Sequence, residues 1–161
     1  MATLSWNGRN VEVGSMPTVP LLDVLREELG DKSPKPGCHE GRCGSCTVLL
    51  DGEPVLSCLV PLGRALDGKV TTLVAASQGA PEAEGIAEVQ TAFARAGAVQ
   101  CGVCSPGMIL ATRALLDEHP HATSEQTLEA LVNNLCRCTG YQKILEAVAT
   151  LATDGSEDND G

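Results

Sequence analysis

The chain has 161 residues, enough for one ordinary domain or two small ones, and 43% of them are hydrophobic, so it can form a core. Its formal net charge is −10, and it holds only one Trp, one Tyr and one Phe. Nucleic-acid binding is therefore not expected, because phosphate contacts need clustered Lys and Arg and base stacking needs aromatic side chains. No apolar run approaches the ~20 residues of a membrane helix. The start lacks a signal-peptide pattern, so we expect a cytoplasmic protein.

The first half of the chain predicts strands and one short helix. Apolar residues alternate on both sides of residues 7–8, an Asn-Gly pair that favours a tight β-hairpin. Residues 20–30 predict a helix, with a proline near its start, a glycine beyond its end and a stripe of leucines. A second hairpin turns at the Asp-Gly pair 51–52, and residues 69–77 predict a last strand. We therefore predict a small α+β domain over residues 1–77.

The second half predicts only helices. Residues 78–85 are rich in Gly, Ala and Glu and are interpreted as a linker. Residues 86–152 predict four helices, three of them from apolar stripes with helical spacing, which favours a small four-helix bundle. The acidic residues 153–161 predict a disordered tail.

Two helix starts in this half have recognisable signals. Ser105 followed by Pro106 predicts an N-cap with proline at the first helical position. Thr123 and Gln126 have the spacing of a capping box. The helix that they open carries an apolar stripe, which we interpret as core packing: Leu128, Leu131, Val132 and Leu135.

Eight cysteines are a high number for an acidic protein placed in a reducing compartment. A disulfide framework is improbable there, so metal or cluster ligation is the better interpretation. The cysteines form two sets of four, separated by a cysteine-free stretch over residues 59–100. The first set is Cys38, Cys43, Cys46 and Cys58, and the second is Cys101, Cys104, Cys136 and Cys138.

The first set has the x4, x2 spacing of a plant-type iron–sulfur loop. Gly37, Gly41 and Gly44 let the backbone turn closely around a cluster and leave N–H groups free to bond its sulfur atoms. Zinc is the alternative, but zinc usually takes paired C-x2-C units. The spacing therefore favours a two-iron, two-sulfide (2Fe-2S) cluster.

The second set is less specific by itself. It joins a C-x2-C pair to a C-x-C pair, and each pair lies beside a predicted helix end. A C-x-C pair on extended chain brings both thiols to one side, because side chains alternate with a period of two. Zinc and an iron–sulfur cluster both stay open for this set alone, and the neighbouring cluster loop favours a second cluster.

Three stretches of the chain resemble one family. They are GCHEGRCGSCTVLLDGEPVLSCLVP, QCGVCSPGMI and NNLCRCTGYQKILEAV, within a resemblance that covers residues 3–151. The chain resembles the iron–sulfur subunit or domain of the molybdenum hydroxylases, which include xanthine dehydrogenase, aldehyde oxidoreductase, aerobic carbon monoxide dehydrogenase and N-heterocycle dehydrogenases. Ser105 stands where that family usually has Thr, and Asn133 where it usually has Gly.

The resemblance implies a β-grasp, plant-type ferredoxin-like domain followed by a helical domain, each with one 2Fe-2S cluster held by its own set of cysteines. It implies that Gln100 and Cys138 contact the molybdopterin of a large partner subunit. It further implies that electrons pass from that molybdenum centre through both clusters to FAD in a medium subunit, in a dimer of heterotrimers. The substrate would be a purine, another N-heterocycle, an aldehyde or carbon monoxide.

Other residues have simpler interpretations. Without the resemblance, Gln100 would be a solvated loop amide. His39, His119 and His121 are interpreted as surface residues, because eight cysteines already fill two sites. No Ser/His/Asp set, phosphate loop or acid–base carboxylate pair is recognisable, so no substrate chemistry is predicted on this chain. A free-standing ferredoxin-type carrier and a zinc-stabilised interaction module are the alternatives to an electron-transfer subunit.

Overall fold

A computed structural model describes residues 1–154, apart from the side chains at positions 82, 84, 153 and 154. The last helix of the chain extends to Asp154. The predicted acidic tail therefore starts inside this helix, and the rest of it, residues 155–161, lies outside the described residues. Within residues 1–154, no helix has both the length and the apolar character needed to cross a membrane.

The first half forms a five-stranded mixed sheet. Its strands are β1 (Ala2–Trp6), β2 (Arg9–Val13), β3 (Thr47–Leu50), β4 (Glu53–Leu56) and β5 (Lys69–Thr71). The spatial order is β2-β1-β5-β3-β4. Strands β1 and β5 run parallel, and the other three neighbouring pairs are antiparallel. The sheet thus places the second hairpin beside β5 and directs the loop before β3 toward the helical half.

Both predicted hairpins are confirmed. The first turn has φ of 50° at Asn7 and 73° at Gly8, and the second has φ of 56° at Asp51 and 91° at Gly52. Positive φ at both central residues matches the right-handed twist of the flanking strands, and Asn-Gly and Asp-Gly tolerate it best. Local backbone preference therefore decides these two turns.

The helices are short in the first half and longer in the second. They are α1 (Leu21–Asp23), which continues as a π-helical segment over Val24–Glu28, α2 (Leu62–Ala65), α3 (Ala75–Gln78), a 3-10 turn (Pro81–Ala83), α4 (Glu84–Ala96), α5 (Ser105–Glu118), α6 (Ser124–Leu131) and α7 (Gln142–Asp154). Together with the sheet they make the mixed α+β architecture that the sequence predicts. In the second half α5 packs on α4 and α6, and α7 packs on α4 and α6.

The predicted strand over residues 69–77 is only partly correct. β5 ends at Thr71, and α3 begins four residues later. The backbone N–H of Thr72 donates to Asn7 Oδ1 at 2.9 Å, and Asn7 Nδ2 donates to Thr72 Oγ1 at 3.0 Å. The buried Asn7 amide therefore takes the place of a ladder partner and ends the strand.

Strand β3 joins the two halves of the molecule because both of its faces are buried. Val48 and Leu50 belong to the core between the sheet and α1, whereas Leu49 belongs to the core of the helical half. Successive side chains of a strand point to opposite faces, and α5 packs directly on β3. The two halves thus share one central strand.

The apolar stripe predicted for α6 is largely not core. Leu131 is 3% exposed, but Leu128, Val132 and Leu135 are 55%, 68% and 56% exposed. Helix α6 ends at Leu131 rather than near Leu135, because the chain then turns to contact the loop before β3. A correct helical spacing therefore led to a wrong interpretation of burial.

The two predicted helix starts have different outcomes. The capping box is confirmed: Gln126 N–H donates to Thr123 Oγ1 at 3.2 Å, and Thr123 N–H donates to Gln126 Oε1 at 2.8 Å. The Ser105 cap is wrong by one residue, since Cys104 occupies the N-cap position and makes no side-chain capping bond. Ser105 is instead the first helical residue, and it is buried. A cysteine thus lies directly at the start of α5.

Candidate metal centres

The first cysteine set is built around the loop that precedes β3. Cys38 Sγ lies 3.5, 3.3 and 3.4 Å from the backbone nitrogens of Glu40, Arg42 and Cys43. These N–H groups, led by that of Glu40, lower the pKa of the Cys38 thiol to about 6. The loop therefore supplies donors that stabilise negative charge on sulfur, which is the form in which cysteine binds metal.

The loop requires glycine for two separate reasons. Gly41 and Gly44 have φ of 75° and 70°, a conformation that side chains rarely adopt. Gly37 has no such φ, but a Cβ there would lie 2.7 Å from Cys43 Sγ. A side chain at Gly37 would thus displace a candidate ligand, which is a different reason from the one that the sequence suggested.

Cys46 and Cys58 form the inner side of this site. They are 3% and 9% exposed. Burial, followed by the neighbouring Cys46 thiol, raises the pKa of Cys58 to about 11, and the charge of Cys38 acts in the same direction. The Cys43 N–H donates to Cys38 Sγ at 3.4 Å, and the Cys43 thiol also contributes to the lowered pKa of Cys38. All four cysteines of the first set therefore meet in one site, with a donor-rich outer pair and a buried inner pair.

The second site lies between helix ends. Cys101 and Cys104 precede α5, and Cys136 and Cys138 lie in the turn between α6 and α7. The Sγ atoms of Cys138 and Cys101 are 3.4 Å apart, and both residues are exposed. Cys104 is buried, and burial followed by contact with the Cys136 thiol raises its pKa to about 12. This site therefore also has an exposed pair and an inner pair.

Both sites have a two-plus-two arrangement of thiols. Among residues 1–154 with described side chains, no three His, Cys, Asp or Glu side chains converge as ligands of a single metal ion. Structural zinc takes four ligands around one point, whereas the two irons of a 2Fe-2S cluster share four thiolates as two pairs. The pairing and the N–H groups aimed at sulfur therefore fit a cluster better than zinc.

Gln100 and two arginines lie at the edges of these sites. Gln100 is exposed and immediately precedes the exposed Cys101. Arg42 is exposed, with its Nε 4.0 Å from Glu40 Oε2, and Arg137 is exposed between the second pair of ligands. The neighbourhood of the exposed thiols is thus open to a partner.

Two of the three histidines have polar partners of their own. His119 Nε2 lies 3.8 Å from Glu118 Oε1. His121 Nδ1 lies 3.2 Å from the carbonyl oxygen of Ala152, while His39 is a loop residue with φ of 57°. These positions agree with the interpretation of the histidines as surface residues.

Sequence reasoning missed the polar residues that hold the second site. The Tyr141 hydroxyl accepts from the Cys136 N–H at 2.9 Å and donates to the Asn134 carbonyl at 3.1 Å. Thr139 Oγ1 lies 3.1 Å from Cys136 Sγ. The one available signal was compositional: the chain's single tyrosine lies three residues after a candidate ligand.

Comparisons with known proteins support this geometry. A family model described as a 2Fe-2S iron–sulfur cluster binding domain matches residues 4–74, and a second, described as a 2Fe-2S binding domain, matches residues 75–149. The chain is 46% identical over 151 residues to the nicotinate dehydrogenase small FeS subunit of Eubacterium barkeri, covering 90% of each chain. The chain belongs to the iron–sulfur subunits of the molybdenum hydroxylases.

Two further relatives agree with this family. The xanthine dehydrogenase iron–sulfur-binding subunit of Escherichia coli O157:H7 is 43% identical over 145 residues, covering 88% of this chain and 87% of its own. The crystal structure of quinoline 2-oxidoreductase from Pseudomonas putida 86 contains a chain with a TM-score of 0.85 and 36% identity, covering 96% of this chain and 93% of its own. The resemblance expected from the sequence motifs is therefore confirmed.

Proposed function

We propose that this chain is the electron-transfer subunit of a molybdenum-containing hydroxylase and that its eight cysteines ligate two 2Fe-2S clusters. When bound, the clusters would carry electrons between a molybdopterin centre on a large subunit and FAD on a medium subunit. The observation that carries this proposal is the presence of two four-thiol sites in one chain, each arranged as two pairs. The chain itself supplies ligands and N–H donors.

The ligands follow the two sets. Cys38, Cys43, Cys46 and Cys58 would hold the cluster of the sheet half, and Cys101, Cys104, Cys136 and Cys138 that of the helical half. The N–H groups directed at Cys38 Sγ support the first assignment. The inner Cys104 and Cys136 thiols and the outer Cys101 and Cys138 thiols support the second.

The helical-half site is the one that we assign to the large subunit. Gln100 and Cys138 are proposed to contact the molybdopterin of that subunit, and both are exposed at the outer edge of the site. Exposed apolar side chains, Val99 at 43% and Val103 at 45%, flank Cys101. Exposed apolar side chains grouped in one place agree with a surface that a partner covers.

The wider assembly and the domain plan are part of the same proposal. We propose a β-grasp domain over residues 1–77, a linker over 78–85 and a four-helix bundle over 86–152. The sheet order and the packing of α5 and α7 against their neighbours support this division. A large and a medium partner in a dimer of heterotrimers, located in the cytoplasm, would complete the enzyme.

An N-heterocycle is the substrate class that we favour for the assembled enzyme. The three relatives described above are named for nicotinate, xanthine and quinoline, which are all nitrogen heterocycles, and other relatives, which the chain matches over a small part of their length, are named for aldehydes. The pocket that selects the substrate would lie on the large subunit. Purification of the native complex followed by turnover assays with pyridine, purine, quinoline and aldehyde substrates tests this class directly.

A free-standing ferredoxin-type carrier is the alternative function. Native size separates the two, since a subunit co-purifies with two larger chains and a carrier elutes alone. A visible spectrum separates both from a zinc module, because iron–sulfur protein is brown and zinc protein is colourless. A small colourless species would reject the proposed function.

The order of electron flow is tested with Cys43→Ser and Cys104→Ser in the assembled complex. Serine is a harder and far less acidic ligand than cysteine, so each change should damage one cluster. After substrate is added, Cys104→Ser should stop reduction of both downstream centres. Cys43→Ser should leave the helical-half signal reducible while FAD reduction stalls. Rapid-freeze paramagnetic resonance measures both, and normal FAD reduction in Cys104→Ser would contradict the order.

A further inference from the structure

The two cysteine loops touch each other directly through backbone atoms. The N–H of Leu135 donates to the carbonyl of Cys43 at 2.9 Å. Cys43 is a candidate ligand of the first site, and Leu135 immediately precedes Cys136 of the second. This hydrogen bond directly connects the chain segments that hold the two sites.

Asn134 makes a second connection next to the first. Its Nδ2 donates to the Gly44 carbonyl at 3.1 Å and lies 3.4 Å from Thr47 Oγ1. Its own carbonyl accepts from the Tyr141 hydroxyl at 3.1 Å. The side chain thus bonds the first loop while the backbone is bonded within the second loop.

Burial of Asn134 makes separation of the two loops unfavourable. Asn134 is 4% exposed, and a buried amide left without hydrogen-bond partners incurs the full cost of its desolvation. Its acceptors on the first loop, the Gly44 carbonyl and Thr47, are also buried or backbone groups. The amide therefore holds the two loops at one spacing, because moving them apart would leave buried polar atoms unpaired.

The backbone of Gly44 is also packed closely against the helical half. A Cβ placed on Gly107 would lie 2.3 Å from the Gly44 oxygen, and a Cβ on Gly44 would lie 2.2 Å from the Asn133 carbonyl oxygen. Gly44 thus contacts the helical half both at the start of α5 and in the turn after α6. The contact is tight enough that a change of one methyl group would alter the spacing.

We propose that Asn134 is a positioning residue that sets the relative placement of the two iron–sulfur sites and thereby the rate of electron transfer between them. This inference rests on the proposed function. Residues that support ligands without binding the metal typically change affinity or activity about 10- to 100-fold when mutated. We therefore expect Asn134→Ala to slow electron transfer between the sites about tenfold.

The experiment uses the full chain with both clusters loaded. Asn134→Ala is compared with Asn133→Ala, because Asn133 is the same residue type, adjacent in the chain and exposed. Iron content and both paramagnetic resonance signals are recorded first. Pulsed dipolar resonance of the reduced protein then measures the separation of the two centres, and flash reduction measures the rate between them.

We expect a single narrow distance and an unchanged rate in Asn133→Ala, and a broadened distance with the slower rate in Asn134→Ala. Full loading with an unchanged distance and rate in Asn134→Ala would overturn the inference. If Asn134→Ala does not retain its clusters, Thr47→Val decides instead, since it removes the hydroxyl that accepts from the Asn134 amide and donates to the Gly44 carbonyl at 2.7 Å, while Asn134 itself stays in place. A slower electron-transfer rate with a broadened distance in Thr47→Val, smaller than expected for Asn134→Ala, supports the inference. An unchanged rate and distance overturn it. A wild-type chain without two 2Fe-2S signals would instead reject the proposed function.

Discussion

The two cysteine sites bring four thiols together in different ways. In the first, three of the four thiols come from one glycine-rich loop, and backbone N–H groups of that loop point at Cys38 Sγ. In the second, two thiols precede α5 and two follow α6, so two whole helices lie between the pairs. The first site is therefore a property of local chain conformation, and the second depends on how helices pack.

This difference predicts which half depends on its metal. A loop rich in glycine can turn around a cluster without outside support, and the sheet has its own core. The helical half instead uses its thiols to tie the start of one helix to the turn after the next. Metal-binding free energy becomes folding free energy where no site exists in the unfolded chain.

Removal of iron should have the largest effect. We expect chelation to abolish most of the helical circular dichroism, because the second site loses its connection between helix ends. Hydrogen exchange followed by mass spectrometry should show lost protection in α5, α6 and α7 before the β1–β2 hairpin. If the apoprotein keeps native helicity and melts cooperatively, the helical half does not depend on its metal as we expect.

Gly44→Ala tests the contact between the two sites, with Gly52→Ala as its matched control. Both glycines have positive φ, which makes alanine costly by about 1–2 kcal/mol. A Cβ at Gly52 meets nothing within 4 Å, whereas one at Gly44 lies 2.2 Å from a backbone oxygen. We expect Gly44→Ala to lower the free energy of unfolding by about 1–3 kcal/mol more than Gly52→Ala.

Denaturant titration of the loaded protein measures both glycine variants. Equal losses would show that the backbone conformation alone matters and that the two cysteine loops are not packed tightly. A larger loss in Gly52→Ala would contradict the structure.

Tyr141→Phe tests the hydrogen bonds that support the second cysteine site. It removes the partner of the Cys136 N–H and of the Asn134 carbonyl, which should cost about 1–2 kcal/mol. Thr112→Val is the control, because the Thr112 hydroxyl is buried with no hydrogen-bond partner among the described residues. We expect the control to be neutral or stabilising by thermal melting, and a shift of the visible spectrum only in Tyr141→Phe. Equal behaviour of the two variants would remove Tyr141 from the support of the second site.

Glu28→Gln should have the smallest effect, and it depends on pH. The Ser15 hydroxyl donates to Glu28 Oε2 at 2.6 Å, and it lowers the pKa of Glu28 below its usual 4.5, with the Gly14 N–H contributing. A pKa lowered by folding stabilises the protein above the unfolded value and loses that contribution as the pH falls through the folded value. Glu28→Gln should therefore lower Tm slightly near pH 7, by an amount that shrinks below about pH 4. Glu12→Gln, at an exposed strand position, is the control. A Tm difference between the wild type and Glu28→Gln that grows as the pH falls would contradict the lowered pKa of Glu28.

The sequence predicted what local chemistry decides. Both hairpins and the Thr123 capping box depend on residues within four positions of each other, so their signals are complete in the sequence. The cysteine sets were predicted because ligand type and spacing carry their chemistry. The four-residue stripe that begins on α6 was misjudged because helical spacing does not show how far each side chain is covered: Leu128 and Val132 are 55% and 68% exposed.

Asn134 shows the other limit of the sequence. Its amide bonds a carbonyl ninety positions away in the chain, and no spacing rule connects it to Gly44. The same holds for Asn7, which ends β5 across sixty-five positions. Contacts of this kind arise only when elements distant in the chain pack together: β1 beside β5 for Asn7, and the sheet half against the helical half for Asn134.

The near absence of aromatic residues gives this protein built-in optical probes. The only tryptophan, Trp6, lies in β1 of the sheet half, and the only tyrosine, Tyr141, lies beside the second cysteine site. Indole emission excited at long wavelength therefore follows the sheet half alone. Phenol emission follows the surroundings of Tyr141 in the helical half, so one unlabelled chain carries a separate probe for each half.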